Sequence, residues 1–144
     1  MLAGNLIMTK DNAKKDKVKS ILVVDDEEIM RDFLVDVLDD YSVTTASDGD
    51  EAIALMRKER YDLIITDLKM PRVSGEEVVR QAVEIDANYK VIVISGYSTL
   101  FTVAQSIENG ACAFLSKPFS IQQLRAEVTR TLEDCADQSE GPQS

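Results

Sequence analysis

Short apolar runs alternate along this chain with segments of helical period. "SILVVD" (20–25) is apolar at both parities, the pattern of a strand buried on both faces. Residues 27–39 follow with Ile29, Phe33 and Val37 at i, i+4 and i+8, a helical stripe. "YSVTTA" (41–46) alternates at period two, and "SDG" then opens a helix over 49–58 with Ser47 or Asp48 as N-cap. "YDLIITD" (61–67) is a second double-faced strand, ended by the loop "LKMPRVSG" with Pro71 and Gly75 as breakers. A helix over 76–86 and a strand "KVIVIS" (90–95) come next. "GYSTLFTVAQSIENG" (96–110) predicts a helix stopped by Asn109-Gly110, and "ACAFLS" (111–116) a weaker last strand. In the final helix Ile121, Leu124, Val128 and Leu132 share one face. Five strands alternating with five helices predict an α/β domain around a central parallel sheet, with right-handed crossovers covering both faces.

Length and charge divide the chain without adding a second domain. The 144 residues suit one core-forming unit, expected over 19–134. A lysine-rich arm (1–18) precedes it and a polar, disordered tail (135–144) follows. Net charge is −10, yet the first twenty residues hold five Lys and two Asp, which leaves −13 on the remainder. So acidic a body argues against direct nucleic-acid binding, and the arm reads first as a solvated charge run. Met8 offers an alternative start to Met1. No apolar run approaches the ~18 residues of a membrane helix, and the opening "MLAGNLIM" has its lysines after rather than before it, the wrong order for a secretory signal. Cys112 and Cys135 lack metal-ligand spacing, and thiols without a signal segment suit a reducing cytoplasm. With no histidine, the chain has no His general base, nucleophile or phosphocarrier of its own.

The chemistry sits at the carboxyl ends of the predicted strands. The first ends in Asp25 and Asp26, the third in Asp67, the fourth in Ser95, and the fifth runs into Lys117; the second offers no comparable group. Each has a plain structural alternative. Asp25 or Asp26 could cap a helix, Asp67 could form an Asx-turn and Ser95-Gly96 a simple turn. Lys117 could be a surface lysine and Phe114 a core residue. Together, however, they aim three carboxylates, a hydroxyl and an ammonium at the sheet edge where α/β proteins bind ligands. Two like charges ~4 Å apart cost about 4 kcal/mol at an effective dielectric of ~20, so carboxylates gathered there call for a cation between them. Hard oxygen donors suit Mg²⁺ (or Mn²⁺), the hydroxyl and ammonium suit a phosphoryl oxygen, and a carboxylate can itself be the nucleophile.

The motifs "VVDDE", "DLKMPRVSG", "VISGYS" and "FLSKPF", taken in order, resemble the receiver domain of two-component response regulators over roughly residues 19–134. The "SGY" and "KPF" wording is similar to receivers attached to activators of the alternative-sigma-factor class. The resemblance implies a flavodoxin-like (βα)5 three-layer sandwich with strand order 2-1-3-4-5. It implies Asp67 as phospho-acceptor, and Asp26, Asp67 and the backbone carbonyl of Lys69 as Mg²⁺ ligands, with Asp25 acting through metal-bound water. Lys117 would pair with a phosphoryl oxygen, and the Lys117-Pro118 step is often cis in the family. Ser95 would move toward the phosphate and Phe114 would occupy the aromatic switch position, without the hydroxyl that many members carry there as Tyr. The phosphodonor would be a phosphohistidine on a sensor histidine kinase or His-phosphotransfer protein. The output would be a changed 97–133 face, read by an unidentified downstream effector or by a second copy in a phosphorylation-dependent homodimer. Lys69 and Tyr97, two residues past Asp67 and Ser95, are both large and are expected to restrict the water that hydrolyses the acyl phosphate.

Two rivals differ in kind. A phosphohydrolase of the haloacid-dehalogenase type also forms an aspartyl phosphate, but it wants Asp-x-Asp where this chain has an adjacent pair, and no cap domain is evident. A receiver cut from a larger transcriptional regulator is the other; the ten residues after Asp134 hold no helix-turn-helix. The expectation is therefore a signalling domain rather than a turnover enzyme.

Overall fold

The computed structural model describes residues 18–140, with side chains as far as Glu133. The lysine-rich arm through Lys17, the choice between Met1 and Met8, the Cys135 side chain and residues 141–144 lie outside the described residues. The elements are β1 (Ser20–Val24), α1 (Glu28–Val37), β2 (Ser42–Ala46), α2 (Gly49–Lys58), β3 (Leu63–Asp67), α3 (Gly75–Ile85), β4 (Val91–Ser95), α4 (Leu100–Glu108), β5 (Ala113–Ser116) and α5 (Ile121–Glu140). All strand pairs are parallel, in the order β2-β1-β3-β4-β5. This is the flavodoxin-like α/β fold.

The double-faced runs become the three central strands because only there does each parity find a cover. Leu22, Val24, Ile64, Val91 and Val93 face one layer, built with Ala52 and Met56 of α2 and Val78, Val79 and Ala82 of α3. Ile21, Val23, Leu63, Ile65, Ile92 and Ile94 face the other, built with Leu34 of α1, Leu38 just beyond it, and Leu124, Val128 and Leu132 of α5. Each such aliphatic side chain contributes about 1.5–3 kcal/mol when fully buried. β2, the alternating strand, lies at an edge with only Ala46 fully buried.

Four expectations shift. The buried side of α1 runs through Leu34 and on to Leu38, with Met30, Phe33 and Val37 partly buried, whereas Ile29 is 84% exposed. Ile121 is likewise half exposed at the start of α5. Helix α4 begins only at Leu100, because the Thr99 hydroxyl accepts the Thr102 N–H at 3.1 Å and caps it there. The last helix continues to Glu140, into the stretch the sequence reads as a polar tail. From Ile121 onward no Gly or Pro interrupts the helix before Gly141-Pro142. Among the described residues no helix is long and apolar enough to cross a membrane.

Candidate functional site

Parallel pairing puts the carboxyl ends of β1, β3, β4 and β5 along one rim. Val24 pairs with Thr66, Asp67 with Ile94 and Ser95 with Ser116. Beyond β1, Asp25 donates its N–H to the Ala46 carbonyl (3.2 Å), and its Oδ1 accepts the Glu27 N–H (2.8 Å). Asp25 therefore does not cap α1: the N-cap is Glu27, which has no side-chain capping bond. At the end of β3 the buried Thr66 hydroxyl donates to the Asp67 carbonyl (2.8 Å), and the Gly75 N–H donates to the Leu68 carbonyl (2.9 Å). Beyond β5, the Lys117 N–H donates to the Ser95 carbonyl (2.9 Å), and the Lys117-Pro118 peptide is cis.

These anchors converge. Asp25, Asp26 and Asp67 each offer an oxygen within 4.8 Å of the others. The Lys117 Nζ donates to Asp67 Oδ2 at 3.1 Å and to Asp25 Oδ2 at 3.4 Å. Asp25 and Asp67 are buried, while Asp26 faces solvent. Burial pushes the Asp25 carboxyl up, with the Asp67 charge adding to it against the opposing Glu27 N–H and Lys117 ammonium. Burial alone would lower Lys117; its bond to Asp67 and the charges of both carboxylates outweigh that and hold it above its ordinary value. Three acidic side chains against one ammonium leave the cluster with an excess of acidic charge. Hard oxygen donors with that residual charge fit a divalent cation such as Mg²⁺.

The other candidates stand around this centre. Ser95 is fully buried and its Oγ accepts the Tyr97 N–H at 2.9 Å; no hydrogen bond links it to the acids. Phe114 is half-buried, packed in the same layer as Val93, its register partner. By period-two alternation Ser95 shares that face. Lys69 is exposed on the loop after β3, and its ammonium lies 4.5 Å from the Tyr97 ring centroid, a cation–π pair at the mouth of the site. Two residues of consequence were not legible as such. Gly75 reads as a loop breaker, yet a side chain there would collide with the main chain of Asp67 and Leu68. Arg31 reads as one polar position on α1, yet its Nη1 donates to the Asp25 carbonyl at 2.7 Å. Neither carries a local signal, because each acts on main-chain atoms across a turn.

The family model for the response regulator receiver domain matches residues 21–129. The chain is 34% identical over 116 residues to sporulation initiation phosphotransferase F of Bacillus subtilis (strain 168), covering 79% of this chain and 94% of that protein. It is 35% identical over 116 residues to the alkaline phosphatase synthesis transcriptional regulatory protein PhoP of the same organism, covering 79% of this chain but only 48% of that longer protein. Among solved structures, a CheY-like response regulator receiver domain protein from Methanospirillum hungatei JF-1 superposes with a TM-score of 0.79 at 28% identity, covering 84% of this chain and 98% of the other. Receiver domains of this kind are the phosphorylated signalling domains of two-component systems; they interact with histidine kinases and typically bind Mg²⁺ at acidic residues. Motifs, strand order and matched length agree: the chain belongs to the response regulator receiver family.

Proposed function

We propose that this chain takes a phosphoryl group from a phosphohistidine of a sensor histidine kinase or His-phosphotransfer protein onto Asp67, and signals through its 97–133 face. One observation carries the reading: Asp67, far along the chain from the adjacent Asp25 and Asp26, brings a carboxylate oxygen within 4.8 Å of theirs, while Lys117 reaches Asp25 and Asp67. Asp25, Asp26, Asp67 and the Lys69 carbonyl would hold Mg²⁺ (or Mn²⁺), which when bound neutralises charge on the transferring group. An Asp67 oxygen attacks phosphorus, the P–N bond breaks, and its electron pair leaves on the partner's imidazole. Lys117 offers its ammonium, already poised on Asp67, to a phosphoryl oxygen, and the Ser95 hydroxyl offers a second donor.

The product carries about −1.5 to −2 charge where a single carboxylate stood. That draws Ser95 and Lys117 inward and frees space for Phe114 on the same face. Helix α4 is suited to respond, since Ser106 is its only fully buried residue while Leu100 and Phe101 lie 88% and 73% exposed. The altered face then binds an effector or a second copy of the chain, within the cytoplasm. The adjacent Asp25-Asp26 pair, rather than Asp-x-Asp, favours this signalling role over a phosphohydrolase. Phosphoramidate with Mg²⁺ and amide NMR of the full chain test it. Phosphorylation should shift amides over 97–133; labelling at Asp67 with that face unmoved would overturn the switch, and no labelling would overturn the transfer.

A further inference from the structure

We infer that Arg31 is a positioning residue for the cation site: by gripping the main-chain carbonyl of Asp25, its guanidinium sets where Asp25 and Asp26 present their carboxylates to a divalent cation. The inference rests on the receiver reading above. The turn between β1 and α1 is held by few bonds: the long Asp25 N–H bond to Ala46 (3.2 Å), the Glu27 N–H bond to Asp25 Oδ1 (2.8 Å), and the Arg31 bond to the Asp25 carbonyl (2.7 Å). The Arg31 bond is the shortest of the three, and its donor is a charged guanidinium. Asp26 depends on it most, because its side chain is exposed and no hydrogen bond among the described residues engages it. Only the main chain can set its direction.

Arg31 has other choices. Glu28, Asp32 and Asp36 line the same groove, and the guanidinium nevertheless donates to a neutral carbonyl. The first helical bond of α1, from the Arg31 N–H to the Glu27 carbonyl (3.0 Å), closes the ring from the other side. Helix α1 is thereby fixed to the turn that carries both acids. Residues that orient a cation's ligands typically change its affinity ~10–100-fold when removed.

The sign of the effect separates this role from plain electrostatics. Deleting a positive charge beside an acidic cluster should tighten Mg²⁺ binding by Coulomb's law; losing the grip on Asp25 should weaken it. Calorimetric titration of Mg²⁺ into the full chain tests this with Arg31→Met and Arg31→Lys. The expected result is Mg²⁺ binding weakened ~10-fold or more in Arg31→Met, with part of the loss recovered in Arg31→Lys. In phosphorylation assays the half-saturating Mg²⁺ should rise in step, while the rate at saturating Mg²⁺ stays within a few-fold of wild type. Urea midpoints check folding, and should Arg31→Met not fold, Arg31→Lys must still bind Mg²⁺ more weakly than wild type. Equal or tighter binding in the folded variants overturns the inference while leaving the receiver reading intact. A wild-type chain that takes up no Mg²⁺ overturns both.

Discussion

Replacing Gly75 by Ala is the sharpest structural test of how Asp67, the proposed phospho-acceptor, is held. Gly75 is the first residue of α3, following the Ser74 N-cap. An Ala side chain at a helix position ordinarily gains about 0.5–1 kcal/mol over Gly. Here the added Cβ would lie 2.8 Å from both the Asp67 carbonyl carbon and the Leu68 Cα, and nearer still to the Asp67 oxygen. These are main-chain atoms of a buried strand end, so no rotamer change relieves the contact. Overpacking of this kind costs about 1–3 kcal/mol, which outweighs the helix gain and leaves a net loss of about 1–2 kcal/mol. With a urea slope of about 1–3 kcal/mol/M, the midpoint should fall by roughly 0.3–2 M. The relief must also push Asp67 from its place, and misplacement on the 1 Å scale can slow a reaction ~100-fold. Phosphorylation by a small acyl phosphate should therefore slow by ~10-fold or more. Gly96→Ala is the internal control, since a Cβ there meets nothing within 4 Å; both readouts should stay near wild type. A Gly75→Ala protein as stable as wild type and phosphorylated at the same rate would refute the reasoning.

Other consequences follow from contacts around the rim. Removing the Lys69–Tyr97 pair in a Lys69→Ala, Tyr97→Ala protein should open the mouth to water and shorten the acyl phosphate lifetime, measured by its decay after the donor is removed; an unchanged decay excludes the shielding role. Burial raises the Asp25 carboxyl, so its favourable contribution is complete below the unfolded value near 4 and is lost as pH rises through the folded one. Asp25→Asn should accordingly raise the urea midpoint of the metal-free chain at neutral pH, with the gain shrinking at acid pH; a lowered midpoint would contradict the burial argument. Arg125 holds Asp40 through bonds of 3.0 and 2.8 Å, and these first of all keep that carboxyl low. The coupling is present above the ordinary carboxylate range and lost as pH falls through the folded value. Both groups being exposed, a double-mutant cycle should find less than about 1 kcal/mol.

Much of this was legible in the sequence because the sheet imposes strong patterns. Strands covered on both faces must be apolar at both parities, so β1, β3 and β4 announce themselves, and their ends deliver Asp25, Asp26, Asp67 and Ser95 to one rim. Lys117 follows because β5 enters the same sheet next to β4. What stayed hidden depends on geometry without a repeat. Ile29 falls on an apolar stripe, but the cover over α1 runs through Leu34 to Leu38 and leaves it in solvent. The start of α4 turns on a single Thr99 hydroxyl among several residues able to cap. Close approach of Gly75 to Asp67 and the reach of Arg31 to Asp25 are contacts with main-chain atoms, to which no side-chain pattern points.

The central claim is that separated side chains form one phosphoryl-transfer centre at this rim. Intact mass after incubation with a small acyl phosphate tests it most directly, with Mg²⁺ or with chelator. The wild-type chain should gain a single phosphoryl group, only when Mg²⁺ is present, and Asp67→Asn should gain none. Wild type left unmodified under conditions that label another receiver, or Asp67→Asn labelled as fully as wild type, would contradict the account.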